Sequence, residues 1–256
     1  MEIQILGAHN CESRDTRLVS LVIDQTLAID AGSLTSSLSM AEQQHLKAVF
    51  ITHHHFDHIR DLATLGMNIY PGGTIELYAL DSALSALCEH LFTEEIYLDF
   101  GKRPSPERPT FKLCPLEPYK EVIIEGYALL PLPVSHSVPA VGYHITSHDN
   151  KCIFFSGDTG RNPSSLWQAL SPQLLIIEVT MPNRFEMVAT SAGHLCPRLL
   201  KEELGEFKKI RGYLPPIVTV HMSPHFEGEI REEVERISAE LEAKITLGYE
   251  GMKILL

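Results

Sequence analysis

The sequence predicts a layered α/β protein in which helices cover sheets from the outside. Short strand-type segments alternate with helical ones in both halves of the chain, and each kind buries its apolar side only by packing on the other. Length agrees, because 256 residues suffice for one sizeable core. No internal repeat or low-complexity tract breaks the pattern, and the length allows one large α/β domain or two small ones.

The elements follow in order. Glu2–Leu6 alternates as a strand does and ends at Gly7. Leu18–Ile23 and Leu27–Asp30 are strands around a turn at Asp24-Gln25. Ala31-Gly32 stops that run, and Ser33–Leu46 has helical spacing with Ser33 placed as a cap. Ala48–Thr52 is a short buried strand running straight into His53–His58, and Ile59–Gly66 reads as the helix after it. Thr74–Tyr78 reads as a strand, Asp81–Leu91 as a helix and the Pro-rich stretch Phe100–Pro109 as a loop. Strands then dominate, at Glu121–Ile124, Tyr127–Val134, Val141–Ser147 and Lys151–Ser156. Helices at Pro163–Leu170, Pro197–Phe207 and Glu227–Leu241 alternate with short strands at Leu174–Thr180, Ile217–His221 and Thr246–Tyr249.

Composition narrows the class. With 44% hydrophobic and 21% charged residues the chain is not disordered. Its longest apolar runs, such as Leu174–Ile177, are far short of the ~20 residues that span a bilayer. Met1 opens into Glu-Ile-Gln-Ile-Leu with no basic n-region, so no signal peptide is expected. A net charge of −12 repels a polyanion on average. Cys11, Cys88, Cys114, Cys152 and Cys196 are odd in number and scattered, which points to reduced thiols in the cytoplasm.

Histidine is the outlier: there are 13, four of them within His53–His58. That segment holds a His-x-His-x-Asp-His pattern in His53, His55, Asp57 and His58. Imidazole and carboxylate donors suit zinc, manganese or ferrous iron. On extended chain, residues at i and i+2 point the same way, so His53 and His55 can hold one cation. If the chain then turns into a helix, Asp57 and His58 can face a second. One motif cannot fill two shells, and three further donors follow apolar strands: His136, Asp158 and His221. A carboxylate has two oxygens, which makes Asp158 the natural shared ligand. The expected sets are His53, His55, His136 and Asp158 on one cation, and Asp57, His58, His221 and Asp158 on the other.

These motifs, in this order, resemble those of the metallo-β-lactamase-fold hydrolases over nearly the whole chain. The resemblance implies a single domain over residues 1–256, a four-layer αβ/βα sandwich with two metals at the rim between the sheets. It also implies the hydrolytic, zinc-type branch, since di-iron oxidases of the fold usually carry Glu where His55 stands. Asp at position 158, where many β-lactamases of the fold have Cys, resembles the phosphodiesterase branches. His136–Tyr143, Ile177–Thr180 and Gly193-His194 are similar to ribonuclease Z and its relatives. Ala28–Leu34, Glu178–Asn183 and Gly193–Leu200 are similar to the class II cyclic-nucleotide phosphodiesterases, although that pattern usually has Leu at Phe56 and Thr or Ser at Cys196.

The resemblance therefore implies a hydrolase of a small phosphodiester such as a 3′,5′-cyclic nucleotide, its nucleophile a hydroxide held between two divalent cations. A tRNA 3′-processing endonuclease, or a thioester, lactone or sulfate-ester hydrolase, is the alternative. Bacterial ribonuclease Z carries a tRNA-gripping arm between the ligands matching His136 and Asp158, and residues 137–157 leave no room for one. The basic cluster Lys102, Arg103, Arg108 and Lys112 lies elsewhere. A nucleic-acid polymer and a membrane are thus not expected as partners, and a homodimer is left open. Asp57 is the candidate to orient the nucleophile. His194 is the candidate proton donor, and Glu178 the candidate to orient a ligand histidine. One of His54 and Phe56 is expected in the core, His225 at the surface, and Gly157 and Gly160 in the turn that presents Asp158. Segments 92–110 and 181–193 are the expected pocket walls.

Overall fold

In the computed structural model, which describes residues 1–256, two seven-stranded sheets pack face to face. The first runs in spatial order Lys253–Leu255, Glu2–Gly7, Ser20–Ile23, Leu27–Ile29, Ala48–Phe50, Ile75–Leu80 and Phe111–Leu116. The second runs Ile245–Leu247, Ile217–Val220, Leu174–Glu178, Cys152–Phe155, Ala140–Ser147, Tyr127–Val134 and Val122–Ile124. Strand period sets the layers. Ile3, Ile5, Leu21, Ile29 and Phe50 enter the core between the sheets. Their neighbours Leu6, Val22, Ala28, Val49 and Ile51 face an outer core with Leu34, Leu62, Leu65 and Leu84 of the covering helices. On the far side, Leu200, Leu204 and Phe207 of helix Pro197–Arg211 and Ile230, Val234 and Ile237 of helix Glu227–Leu241 cover the second sheet. Helix, sheet, sheet and helix give the expected four layers.

Leu174–Glu178 lies between parallel neighbours and is buried along its whole length, as a continuous apolar run in a central parallel strand should be. The hairpin turn at Asp24 and Gln25 has φ of 43° and 58°, the left-handed pair that a two-residue hairpin uses.

Several elements depart from expectation. The helix over Ser33–Leu46 is two, Leu34–Ser37 and Met40–His45. Ser39 breaks it: its Oγ accepts from Glu42 N at 3.3 Å while Glu42 Oε2 accepts from Ser39 N at 2.7 Å, a capping box that starts a new helix. Ser33 makes no side-chain cap bond. The helix after the histidine motif begins earlier, as a turn at Phe56–Ile59 followed by Leu62–Ile69. Within Phe100–Pro109, Pro104–Ser105 pairs with Arg108–Pro109. Strands Phe111–Leu116 and Lys253–Leu255 and helix Glu186–Ala192 were not anticipated.

Candidate metal centre

The ends of strands from both sheets meet at one rim. Ala48–Phe50 leads into His53 and His55, and the turn Phe56–Ile59 carries Asp57 and His58. His136 follows Tyr127–Val134, Asp158 follows Cys152–Phe155, and His221 follows Ile217–Val220. All seven predicted ligands converge. The donor atoms of His53, His55, His136 and Asp158 lie within 4.8 Å of one another, as do those of Asp57, His58, Asp158 and His221.

In the first group, His55 Nδ1 is 3.1 Å from both His53 Nε2 and His136 Nε2. Asp158 Oδ2 is 3.7 Å from the former and 3.9 Å from the latter. A tetrahedral cation with bonds of about 2.0–2.1 Å needs donors about 3.3 Å apart, which is close to these spacings. In the second group, His58 Nε2 is 3.1 Å from Asp158 Oδ1, and His221 Nε2 is 3.1 Å from Asp57 Oδ2 and 3.3 Å from Asp158 Oδ2. Asp158 thus faces both groups. His58 Nε2 and Asp158 Oδ1 are buried and complete no hydrogen bond, a costly arrangement that a cation between them would resolve. The residues fit a pair of divalent ions.

The opposite edges of the imidazoles explain their aim. His53 Nδ1 donates to Thr52 Oγ1 at 3.0 Å, whose hydroxyl donates to Asp30. His58 Nδ1 donates to Asp30 Oδ2 at 2.7 Å, His136 Nδ1 to the Gly193 carbonyl at 2.9 Å, and His221 Nδ1 to Thr180 Oγ1 at 2.8 Å. Each such bond fixes the tautomer and turns the Nε2 lone pair into the site. Asp30, fully buried with φ of 58°, Thr52, Thr180 and the Gly193 carbonyl are supports that no motif in the sequence assigns. The signal for Asp30 was an Asp closing an apolar strand.

Glu178 does for the second sheet what Asp30 does for the first. Fully buried, its Oε1 accepts from Thr159 N at 3.0 Å and His194 Nδ1 at 2.7 Å, and its Oε2 from Thr180 Oγ1 at 2.7 Å and Leu195 N at 3.2 Å. It therefore orients His194 directly and His221 through Thr180. With Asp158 and His221 they form a third convergent group.

The electrostatics differ between the groups: burial lowers the pKa of His58, but Asp158 and Asp30 raise it well above the usual imidazole range, so that ring holds a proton which a cation would displace. Burial depresses the pKa of His53, with help from His58, and burial likewise lowers His55 and His136, which favours the neutral imidazoles that metals require. Burial would raise Asp158, but His221, His58 and His53 hold it well below the carboxylate range. Burial also opposes ionisation of Asp57, yet the His221 hydrogen bond and His58 bring it to about 2. His194 is raised to about 9, because Glu178, Asp158 and Asp57 outweigh its burial.

Gly157 has φ of 59°, and a Cβ there would sit 2.9 Å from Thr52 Cβ, so the turn presenting Asp158 needs this glycine. Gly160 follows Asp158 without a left-handed φ. Phe56 is 69% exposed and His54 is half-buried, so neither enters the core, while His225 is exposed as expected. A cleft of about 680 Å³ opens beside His136, walled by Ser135, Ser137, Arg161, Thr190 and Ser191 among others. Segment 181–193 contributes to it. Segment 92–110 instead lines a separate hollow with Met67 that no candidate ligand borders.

Fold and site together define a protein of the metallo-β-lactamase type with side chains that could hold a pair of metal ions. Residues 22–244 match the family described as Beta-lactamase superfamily domain, and the chain belongs to that superfamily. Among solved structures it is similar to unliganded yeast PDE1, with a TM-score of 0.82, 17% identity and coverage of 100% of this chain and 99% of that one. The metallo-beta-lactamase fold protein YhfI from Bacillus subtilis gives a TM-score of 0.77, 18% identity and 99% coverage of both chains. The short form of human tRNase Z gives 0.70, 18% identity and coverage of 100% and 99%. Such identities carry the fold alone. A curated relative, the octanoyltransferase of Porphyromonas gingivalis, is 27% identical over 139 residues, 54% of this chain but only 27% of that protein. No helix is long and apolar enough to cross a membrane.

Proposed function

We propose that this chain hydrolyses a small phosphodiester, with a 3′,5′-cyclic nucleotide as the leading substrate. His53, His55, His136 and Asp158 would hold one divalent cation and Asp57, His58, His221 and Asp158 the other, zinc being the metal that best suits these donors. The observation that carries the reading is Asp158: one carboxylate facing both groups, with Oδ1 3.1 Å from His58 and Oδ2 3.3 Å from His221. When bound, such a pair activates water and neutralises phosphoryl oxygens.

The chain's own residues supply the rest. Asp57, ionised at every working pH, accepts a hydrogen bond from the attacking water and points its lone pair at phosphorus. His194, whose Nδ1 is occupied by Glu178, has Nε2 free to donate. As the P–O ester bond breaks, that proton passes to the leaving oxygen; water supplies the new P–O bond and gives up a proton to solvent, from which His194 is reprotonated. A polymeric RNA is disfavoured because three of the four basic residues of the cluster are paired with carboxylates: Lys102 with Asp99 at 2.6 Å, Arg103 with Glu94 at 2.7 Å and Lys112 with Glu76 at 2.6 Å. We further take residues 1–256 as one catalytic domain and, from five free cysteines, place it in the cytoplasm.

The test is a panel assay of Zn²⁺-loaded protein on cyclic AMP, cyclic GMP, bis-p-nitrophenyl phosphate, a precursor tRNA and an acyl thioester. Turnover of a cyclic nucleotide, abolished together with metal content in Asp158→Ala, supports the reading. Turnover of the thioester alone overturns it.

A further inference from the structure

His221 stands apart from the other candidate ligands in how it is held. Its φ is 63°, a left-handed backbone that a residue with a Cβ seldom adopts unless its surroundings impose it. The next residue is fixed from outside its own sheet. Met222 N donates to the Ala8 carbonyl at 3.1 Å, and Asn10 N donates to the Met222 carbonyl at 3.3 Å. Residues 8–12 leave the first sheet at Gly7, so this strap pins the end of a second-sheet strand to the first sheet. Farther along, Glu12 pairs with Arg60 at 2.6 Å, two residues beyond His58. The strap therefore touches the neighbourhood of both halves of one ligand group.

What holds the strap is His9. It is 3% exposed, lies between Ala8 and Asn10, and has both ring nitrogens engaged. Nδ1 is 2.6 Å from Glu250 Oε1 and Nε2 is 3.4 Å from Glu227 Oε2. Glu250 Oε1 also accepts from Arg17 N at 2.9 Å and Ala8 N at 3.4 Å, which closes the loop that the strap begins. The first ligand group has a different support. Thr52, just before His53, accepts at its carbonyl from Val141 N at 3.1 Å, and Tyr143 Oη donates to the Ile51 carbonyl at 2.7 Å.

Resting on the metal-binding reading above, we propose that His9 is a positioning residue. With Glu250 it fixes the strap against Met222 and so sets the place of His221 in the second cation's shell. It contacts neither substrate nor cation.

The experiment is a Zn²⁺ titration of metal-free protein against a chromogenic chelator, with Co²⁺ absorption spectra and thermal melts of the metal-free form alongside. Wild type is expected to bind two Zn²⁺. His9→Ala and Glu250→Gln should keep the first binding step within about threefold and weaken the second by about 10- to 100-fold, the range typical of residues that orient a ligand. His9→Gln, which retains a donor toward Glu250, should recover part of the loss. The Co²⁺ spectrum should change only in the band that appears with the second equivalent. Should His9→Ala fail to fold, Glu250→Gln carries the test. Unchanged binding in the variants overturns the proposal, and so does equal weakening of both steps with a lowered metal-free melt, which would make His9 general cement. Fewer than two Zn²⁺ on wild type would instead sink the metal-pair reading itself.

Discussion

Replacing Glu178 by Gln separates scaffold from chemistry in one residue. The carboxylate is fully buried, and each oxygen accepts two bonds: Oε1 from Thr159 N and His194 Nδ1, Oε2 from Thr180 Oγ1 and Leu195 N. A Gln amide offers one acceptor, so in either flip its NH₂ faces two donors. Leaving two buried donors unsatisfied costs about 1–3 kcal/mol each, hence about 2–6 kcal/mol. A domain with about 5–15 kcal/mol of stability remains folded but melts lower, by about 2–4 °C per kcal/mol at this size. Activity should fall further than stability explains, by about 10²–10⁴ in kcat if His194 delivers the proton. The pH profile carries the sign. His194, raised to about 9 against its burial by Glu178, Asp158 and Asp57, holds its proton below that pH and loses it above, so activity declines on the alkaline side. Removing the Glu178 charge lowers the pKa and moves that limb toward neutrality. Bound cations lower it in both proteins, so the difference between them belongs to Glu178. The assay is kcat against pH with equal metal content verified in both proteins. A variant that melts lower yet keeps kcat within about threefold and the same alkaline limb would refute the role of His194.

Gly157→Ala places a side chain at φ of 59° with its Cβ 2.9 Å from Thr52; the left-handed backbone alone costs about 1–2 kcal/mol. Because Thr52 braces His53, elemental analysis should show reduced metal content alongside a lower melt. Lys102→Ala and Arg103→Ala remove exposed cations already paired with Asp99 and Glu94, so KM for a cyclic nucleotide in steady-state assays should stay within about twofold. In metal-free protein, the pKa of His9 is raised because Glu250 and Glu227 outweigh its burial. Its stabilisation is thus complete below its ordinary value of about 6.5 and fades as pH rises through the raised one. Glu250 is lowered, since its bond to His9 outweighs burial, and its share fades only as pH falls below the carboxylate range. The melting-temperature gap between wild type and His9→Gln should accordingly be widest near pH 6 and narrow toward alkaline pH.

The ligands were legible because chemistry and chain direction coincide at strand ends. An apolar strand followed by His or Asp in a Ser-, Gly- or Pro-rich turn leaves that side chain at a sheet rim, and Tyr127–Val134, Cys152–Phe155 and Ile217–Val220 each obey this pattern. The supports were less legible because their partners are remote in sequence: Asp30 serves His58 across 28 positions and the Gly193 carbonyl serves His136 across 57. Strand Phe111–Leu116 was obscured by Pro115, which an edge strand tolerates because its N–H side can go unpaired. The break at Ser39 was readable, since Ser39 and Glu42 spell a capping box, but helical spacing continues across it and hides the change of direction.

What emerges is a division of labour between two buried carboxylates that are not ligands. Asp30 ends a strand of the first sheet and aligns His53 and His58; Glu178 ends a strand of the second and aligns His221 and His194. Each buried anion is compensated by the imidazoles and hydroxyls it directs, which is the condition under which a low-dielectric interior tolerates such groups. The cost of that arrangement tells against the site being ornamental. In a scaffold with no need to hold Nε2 lone pairs in place, well-packed apolar residues at such positions are often as stable or more so.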